Sequence, residues 1–148
     1  MRRPKFLVLA AWLLHALAWF LPVHKYGVRL PAGLPGWEAF QLAFRAFYDP
    51  GSFTSWYGGV IGAFSAADTV LFIFGSPWVA LRGSHRLRWA GTWAASMGFA
   101  VNALWYVLSG SDRTDFRIGY FLWCLSFGVL AVGLFDLARQ EKALPLRT

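Results

Sequence analysis

The chain reads as an all-α protein: a four-transmembrane-helix bundle, up-down-up-down, with a short amphipathic interfacial helix in its first outer loop. Three observations predict this. Four apolar stretches, about residues 6–23, 59–81, 89–109 and 118–137, each approach the ~20 residues a helix needs to cross the hydrocarbon of a bilayer. Hydrophobic residues make up 57% of the chain and charged ones 14%, which excludes a disordered polymer and departs from the soluble average. The 148 residues suffice for one membrane domain, 1–148, with residues 24–58 as its main outer loop.

Charge sets the expected orientation. The formal net charge is +7, but the basic residues are spread along the chain rather than gathered on a nucleic-acid-binding face. With both termini taken as cytoplasmic, Arg2, Arg3, Lys5, Arg82, Arg86, Arg88, Arg139, Lys142 and Arg147 lie inside. Lys25, Arg29, Arg45, Arg113 and Arg117 lie outside. Nine against five satisfies the positive-inside rule. The expectation is a multi-pass protein of a bacterial inner membrane, its partner the phospholipid bilayer and not nucleic acid.

The first stretch has two readings. Basic residues before an apolar run, followed by Ala16-Leu17-Ala18, look like a signal peptide with a small-residue cleavage site. Hydrophobicity continues through Trp19, Phe20 and Leu21 to Val23, however, and His15 is foreign to a signal core, so a retained helix is expected.

The outer loop opens on the turn-forming residues Gly27, Pro31, Gly33, Pro35 and Gly36. From Trp37 to Tyr48 the period becomes helical: Trp37, Phe40, Phe44 and Phe47 share one side, Glu38, Gln41 and Arg45 the other. Such a helix lies in the headgroup layer or caps the bundle. Asp49-Pro50-Gly51 ends it.

In the second stretch, Pro77 after Gly75-Ser76 is expected to kink or end the helix. The basic inner loop of Arg82, Arg86 and Arg88 sets topology and can meet anionic headgroups. The links 82–88 and 110–117 are short, so successive helices should be antiparallel neighbours. Trp78 and Trp89 would mark the inner interface, and Trp56, Tyr57, Trp105, Tyr106 and Tyr120 the outer one.

Each stretch hides one polar residue. His15, Asp68, Asn102 and Ser126 are each seven to nine residues from the outer end of their span, placing all four roughly 10–14 Å deep at the helical rise. Each also falls on the small-residue face of its helix: Ala11 and Ala18 with His15; Gly58, Gly62 and Ser65 with Asp68; Gly91, Ala94, Ala95 and Gly98 with Asn102; Gly119 and Gly133 with Ser126. Small residues let membrane helices approach closely, so the polar layer should face inward. It is either an Asp68–His15–Asn102 hydrogen-bond network that locks the bundle or a proton-binding site at Asp68 tuned by His15.

Other chemistry finds no foothold in the sequence. The single Cys124 excludes an internal disulfide and the paired thiols of a quinone-linked thiol oxidase, and it reads as a packing residue. No zinc spacing, serine elbow or phosphate loop is present. No cofactor, metal or catalytic residue is expected, and Asp112 and Asp115 read as loop charge beside Arg113 and Arg117.

Leu34-Pro35-Gly36-Trp37-Glu38-Ala39-Phe40, and Gly119-Tyr120-Phe121-Leu122-Trp123 continuing to Gly133-Leu134, resemble segments of small uncharacterised bacterial four-span inner-membrane proteins. That resemblance implies a fold and no function. The leading expectation is a non-enzymatic accessory or assembly subunit, or a homo-oligomer. A proton-linked carrier built on Asp68 and His15 is the first alternative, and an intramembrane lipid-acting enzyme the second. A cavity reaching Asp68 would favour the carrier. A groove between the Trp37–Tyr48 helix and the bundle, wide enough for an acyl chain, would point to lipid.

Overall fold

The structure is a computed structural model that describes residues 3–26, 30–53 and 55–143. Arg2, Gly27, Arg29 and Arg147, and the side chain of Lys142, lie outside what it describes. The chain is almost entirely helical. Helix α1 (Arg3–Phe20) leads into strands β1 (Pro22–Tyr26) and β2 (Leu30–Pro35), then α2 (Gly36–Phe44). Helix α3 (Trp56–Val70) continues through a π-helical turn (Leu71–Gly75) into α4 (Ser76–Arg82), and α5 (His85–Leu108) and α6 (Ile118–Ala143) follow. By length and composition, the segments Trp56–Arg82 and Ile118–Gln140 are able to cross a membrane.

Local chemistry explains the boundaries. Helix α1 stops at Phe20 rather than Val23 because Pro22 forces the residue before it out of helical geometry. Ser55 caps α3 by accepting from Gly58 N at 3.2 Å, and Ser84 caps α5 by accepting from Leu87 N at 3.4 Å. At the other end of α5, Arg113 donates to Tyr106 O at 3.0 Å and Val107 O at 2.7 Å, satisfying carbonyls that the helix leaves open.

Pro77 does not end its helix. It lacks the N–H that would reach back one turn, and the chain absorbs this with the π turn just before it. Ser76 Oγ donates to Phe72 O at 2.6 Å and accepts from Trp12 Nε1 at 3.0 Å, which fastens the turn to α1.

Strands β1 and β2 pair antiparallel in a segment whose turn-forming residues predict a loop. Pro22, Pro31 and Pro35 argue against strands, but each strand of a two-stranded sheet has a free edge where a missing donor costs nothing. Pro22 pairs with Pro35 and His24 with Leu34. Gly33 takes φ +86°, where a side chain would be strained. Gly36 lies so close to the Ala18 carbonyl that a Cβ has no room, and this contact seats the start of α2 against the end of α1.

Helix α6 is the central element. Trp123, Phe127, Leu130, Leu134 and Leu137 recur at three- and four-residue steps and are buried, packing against α1 on one side and α5 on the other. Helix α3 packs on α5 and carries α2 across its first turns. The short links leave α4 beside α5 and α5 beside α6, as expected. Helix α1, joined to α3 by a long segment, takes α6 as its main neighbour instead.

Candidate functional site

Three of the four polar residues expected at the centre, His15, Asn102 and Ser126, are almost wholly buried, and Asp68 is half-buried. The structure joins them differently from a single network. His15 Nδ1 lies 2.9 Å from Ser126 Oγ, tying α1 to α6. Ser126 spends its one hydroxyl hydrogen on Trp123 O at 2.6 Å. Nδ1 of His15 is therefore the donor, and Nε2 is left facing rings with no partner. The imidazole stacks on Phe72 at 4.3 Å and contacts Trp123 at 4.7 Å and Phe127 at 5.7 Å between centroids.

Asn102 forms a second junction. Ser65 Oγ donates to Asn102 Oδ1 at 2.7 Å, and Asn102 Nδ2 donates to Gly98 O at 2.7 Å. The backbone of the same residue is also engaged. Tyr120 Oη donates to Asn102 O at 2.6 Å and accepts from Tyr106 N at 3.1 Å, so the phenol spans a donor–acceptor pair one turn apart in α5. Helices α3, α5 and α6 thus meet at Asn102. Ser65 is the member missed from the sequence as a polar partner, although it stands one turn before Asp68 on the small-residue face.

Asp68 belongs to neither junction. Its Oδ2 is buried without a hydrogen-bond partner, and no hydrogen bond or ion pair joins it to His15 among the described residues. Both Phe72 and Phe127 touch His15, and both also line the cavity that holds Asp68. This cavity, about 220 Å³, runs from Asp68 to Val79 and Leu134 between the α3–α4 segment, α5 and α6.

A larger cavity, about 340 Å³, lies under α2. Its roof is Ala39, Phe40, Leu42 and Ala43 of α2 with Phe53 beyond. Trp105, Phe116, Tyr120 and Trp123 make aromatic walls, and Ser65 and Asn102 are its most deeply buried polar residues. No Asp, Glu, Lys or Arg among the described residues lines it. Its size falls in the range of sites for small organic ligands.

Of the apolar row expected on the amphipathic helix, only Phe40 turns inward, stacking on Trp19 at 5.5 Å. Trp37, Phe44 and Phe47 are exposed, as is Arg45, while Glu38 is half-buried. The face toward the bundle is instead built from Gly36, Ala39 and Ala43. Gly36 meets the end of α1 and Ala43 approaches Gly62 of α3, while Ala39 and Ala43 share the cavity roof with Phe40 and Leu42. Arg82 and Arg86 are exposed, whereas Arg88 Nη1 reaches Leu137 O at 3.5 Å and His85 Nδ1 lies 3.0 Å from Ala138 O. The basic link between α4 and α5 is thereby clipped to α6. Among the described residues no cluster of His, Cys, Asp or Glu is arranged to hold a metal ion.

No protein-family model matches this chain, and no curated protein and no solved structure matches it either.

Proposed function

We propose that this chain is a four-span integral membrane protein, both termini cytoplasmic, that holds a lipid-like molecule in the cavity under α2 and acts as a non-enzymatic accessory subunit. The cavity is the observation that carries the role: about 340 Å³, walled by aromatic rings, with no Asp, Glu, Lys or Arg among the described residues that line it and His24 as its one imidazole. Four spans are supported by the surface of the bundle. Leu13, Leu17 and Phe20 on α1, Phe64 and Phe74 on the α3–α4 segment, and Trp93 and Met97 on α5 are all exposed. Apolar exposure on this scale is foreign to a water-facing monomer and natural in lipid. The resemblance to small bacterial inner-membrane proteins belongs to the same proposal.

The experiment is saturable binding of tritiated dodecan-1-ol to the purified protein in lipid nanodiscs, beside the Ala43→Phe variant. Ala43 is in the cavity roof, and the added ring occupies the space a guest would take. The reading predicts saturable binding by the wild type and its loss in the folded variant. Equal uptake by both, or uptake that never saturates, contradicts it.

A second reading rests on Asp68. A carboxylate lining a cavity with one oxygen unpartnered suits a proton-linked carrier. Proton uptake into vesicles that disappears in Asp68→Asn, with folding intact, supports that reading, and unchanged uptake refutes it.

A further inference from the structure

The polar residues at the base of the α2-side cavity have hydrogen-bonding capacity left over, and the remainder has a defined chemistry. An amide nitrogen carries two hydrogens, and a hydroxyl can both donate and accept. Asn102 Nδ2 gives one hydrogen to Gly98 O. Asn102 Oδ1 receives the one hydrogen of Ser65 Oγ. What remains is one N–H donor on Asn102 and the accepting lone pairs of Ser65 Oγ, on two residues that are 3% and 7% exposed. Both line the cavity.

We propose that the cavity takes an uncharged amphiphile with an apolar body and a terminal hydroxyl or carbonyl, and that this oxygen sits against Asn102 and Ser65. A hydroxyl satisfies both spare groups at once: its oxygen accepts from Asn102 Nδ2 and its hydrogen goes to Ser65 Oγ. A carbonyl satisfies the donor alone. A cationic group finds no counter-charge among the described residues that line the space, and an anionic one finds only the imidazole of His24; an unpaired charge in such surroundings is strongly disfavoured. The rings of Phe40, Phe53, Trp105, Phe116 and Trp123 receive the body of the molecule. This inference deepens the proposed function and rests on it: the site is the same, and what is added is the class of guest. A prenol and an acylglycerol share this chemistry.

The test is competition against tritiated dodecan-1-ol in nanodiscs, with competitors matched in membrane mole fraction. Dodecan-1-ol and 2-dodecanone should displace it. Dodecane, which has no polar atom, should bind about tenfold more weakly or worse. Dodecyltrimethylammonium should be weaker still, by about a hundredfold, and dodecanoate should be weaker than the alcohol. Ser65→Ala should weaken dodecan-1-ol by about threefold to tenfold and leave dodecane unchanged, because the hydroxyl that accepts from the guest and holds Asn102 in place is lost while the apolar walls remain. Farnesol and monododecanoylglycerol, compared in the same assay, assign the natural source to whichever binds tighter. Displacement by dodecane or by either ion as effective as by the alcohol overturns the inference. That failure is distinct from failure of the cavity itself, which Ala43→Phe reads independently.

Discussion

Ser65 Oγ donates to Asn102 Oδ1 across 2.7 Å, and this bond ties α3 to α5 at the base of the α2-side cavity. One short polar contact therefore does two things. It joins helices that pack through small residues, and it leaves a donor and an acceptor available to a guest.

Asn102→Ala removes the contacts to Ser65 Oγ and Gly98 O together. The Ser65 bond is the one that joins two helices, and such bonds contribute about 0.6 to 1.7 kcal/mol each, so the variant should lose about 1–2 kcal/mol. Ser65→Ala removes the same bond and should lose about as much. Unfolding in increasing denaturing detergent measures both.

Gly98 is required by a neighbour. A Cβ built there would stand 2.6 and 2.7 Å from two carbons of the Phe127 ring, and Phe127 is only 1% exposed, with little room to yield. Gly98→Ala should cost about 1–3 kcal/mol by overpacking. Gly98→Ala combined with Phe127→Leu should be less destabilised than the sum of the two single variants. Strict additivity in the same unfolding assay would show that the ring does not set the requirement.

Asp68 should be dispensable for stability. Its Oδ2 is buried without a partner, and an unmade hydrogen bond of this kind costs about 1–3 kcal/mol. Asp68→Leu should raise the melting temperature of the detergent-solubilised protein. A clear drop would mean that the carboxylate holds the bundle together.

The membrane arrangement is checked by single cysteines in a Cys124→Ala background. Gln41→Cys on α2 and Thr114→Cys in the α5–α6 link should react with an impermeant maleimide on intact cells. Ser84→Cys, before α5, should react only after permeabilisation. The reverse pattern would invert the proposed orientation.

The helices were legible in the sequence because each is a long apolar run with its charges at the ends, and periodicity placed His15, Asn102 and Ser126 on buried faces. Which of these residues pair was not legible. Depth and face say that side chains are close to a common axis, but the choice of Ser126 for His15 and Ser65 for Asn102 depends on α1 packing against α6 and α3 against α5. The hairpin escaped because its prolines oppose strand formation everywhere except at free edges. The inward face of α2 escaped for a different reason. Its large residues, Trp37, Phe44 and Phe47, drew the eye to the apolar row, while Gly36, Ala39 and Ala43 make the contact. Ala39 and Ala43 also line the cavity, beside Phe40 and Leu42.

The central claim is that a hydrophobic molecule sits under α2, and native mass spectrometry of the protein released from its own membrane tests it most directly. The account predicts one retained small molecule per chain, absent from folded Ala43→Phe. A bare chain mass for the wild type, under conditions that keep the bundle folded, would contradict it.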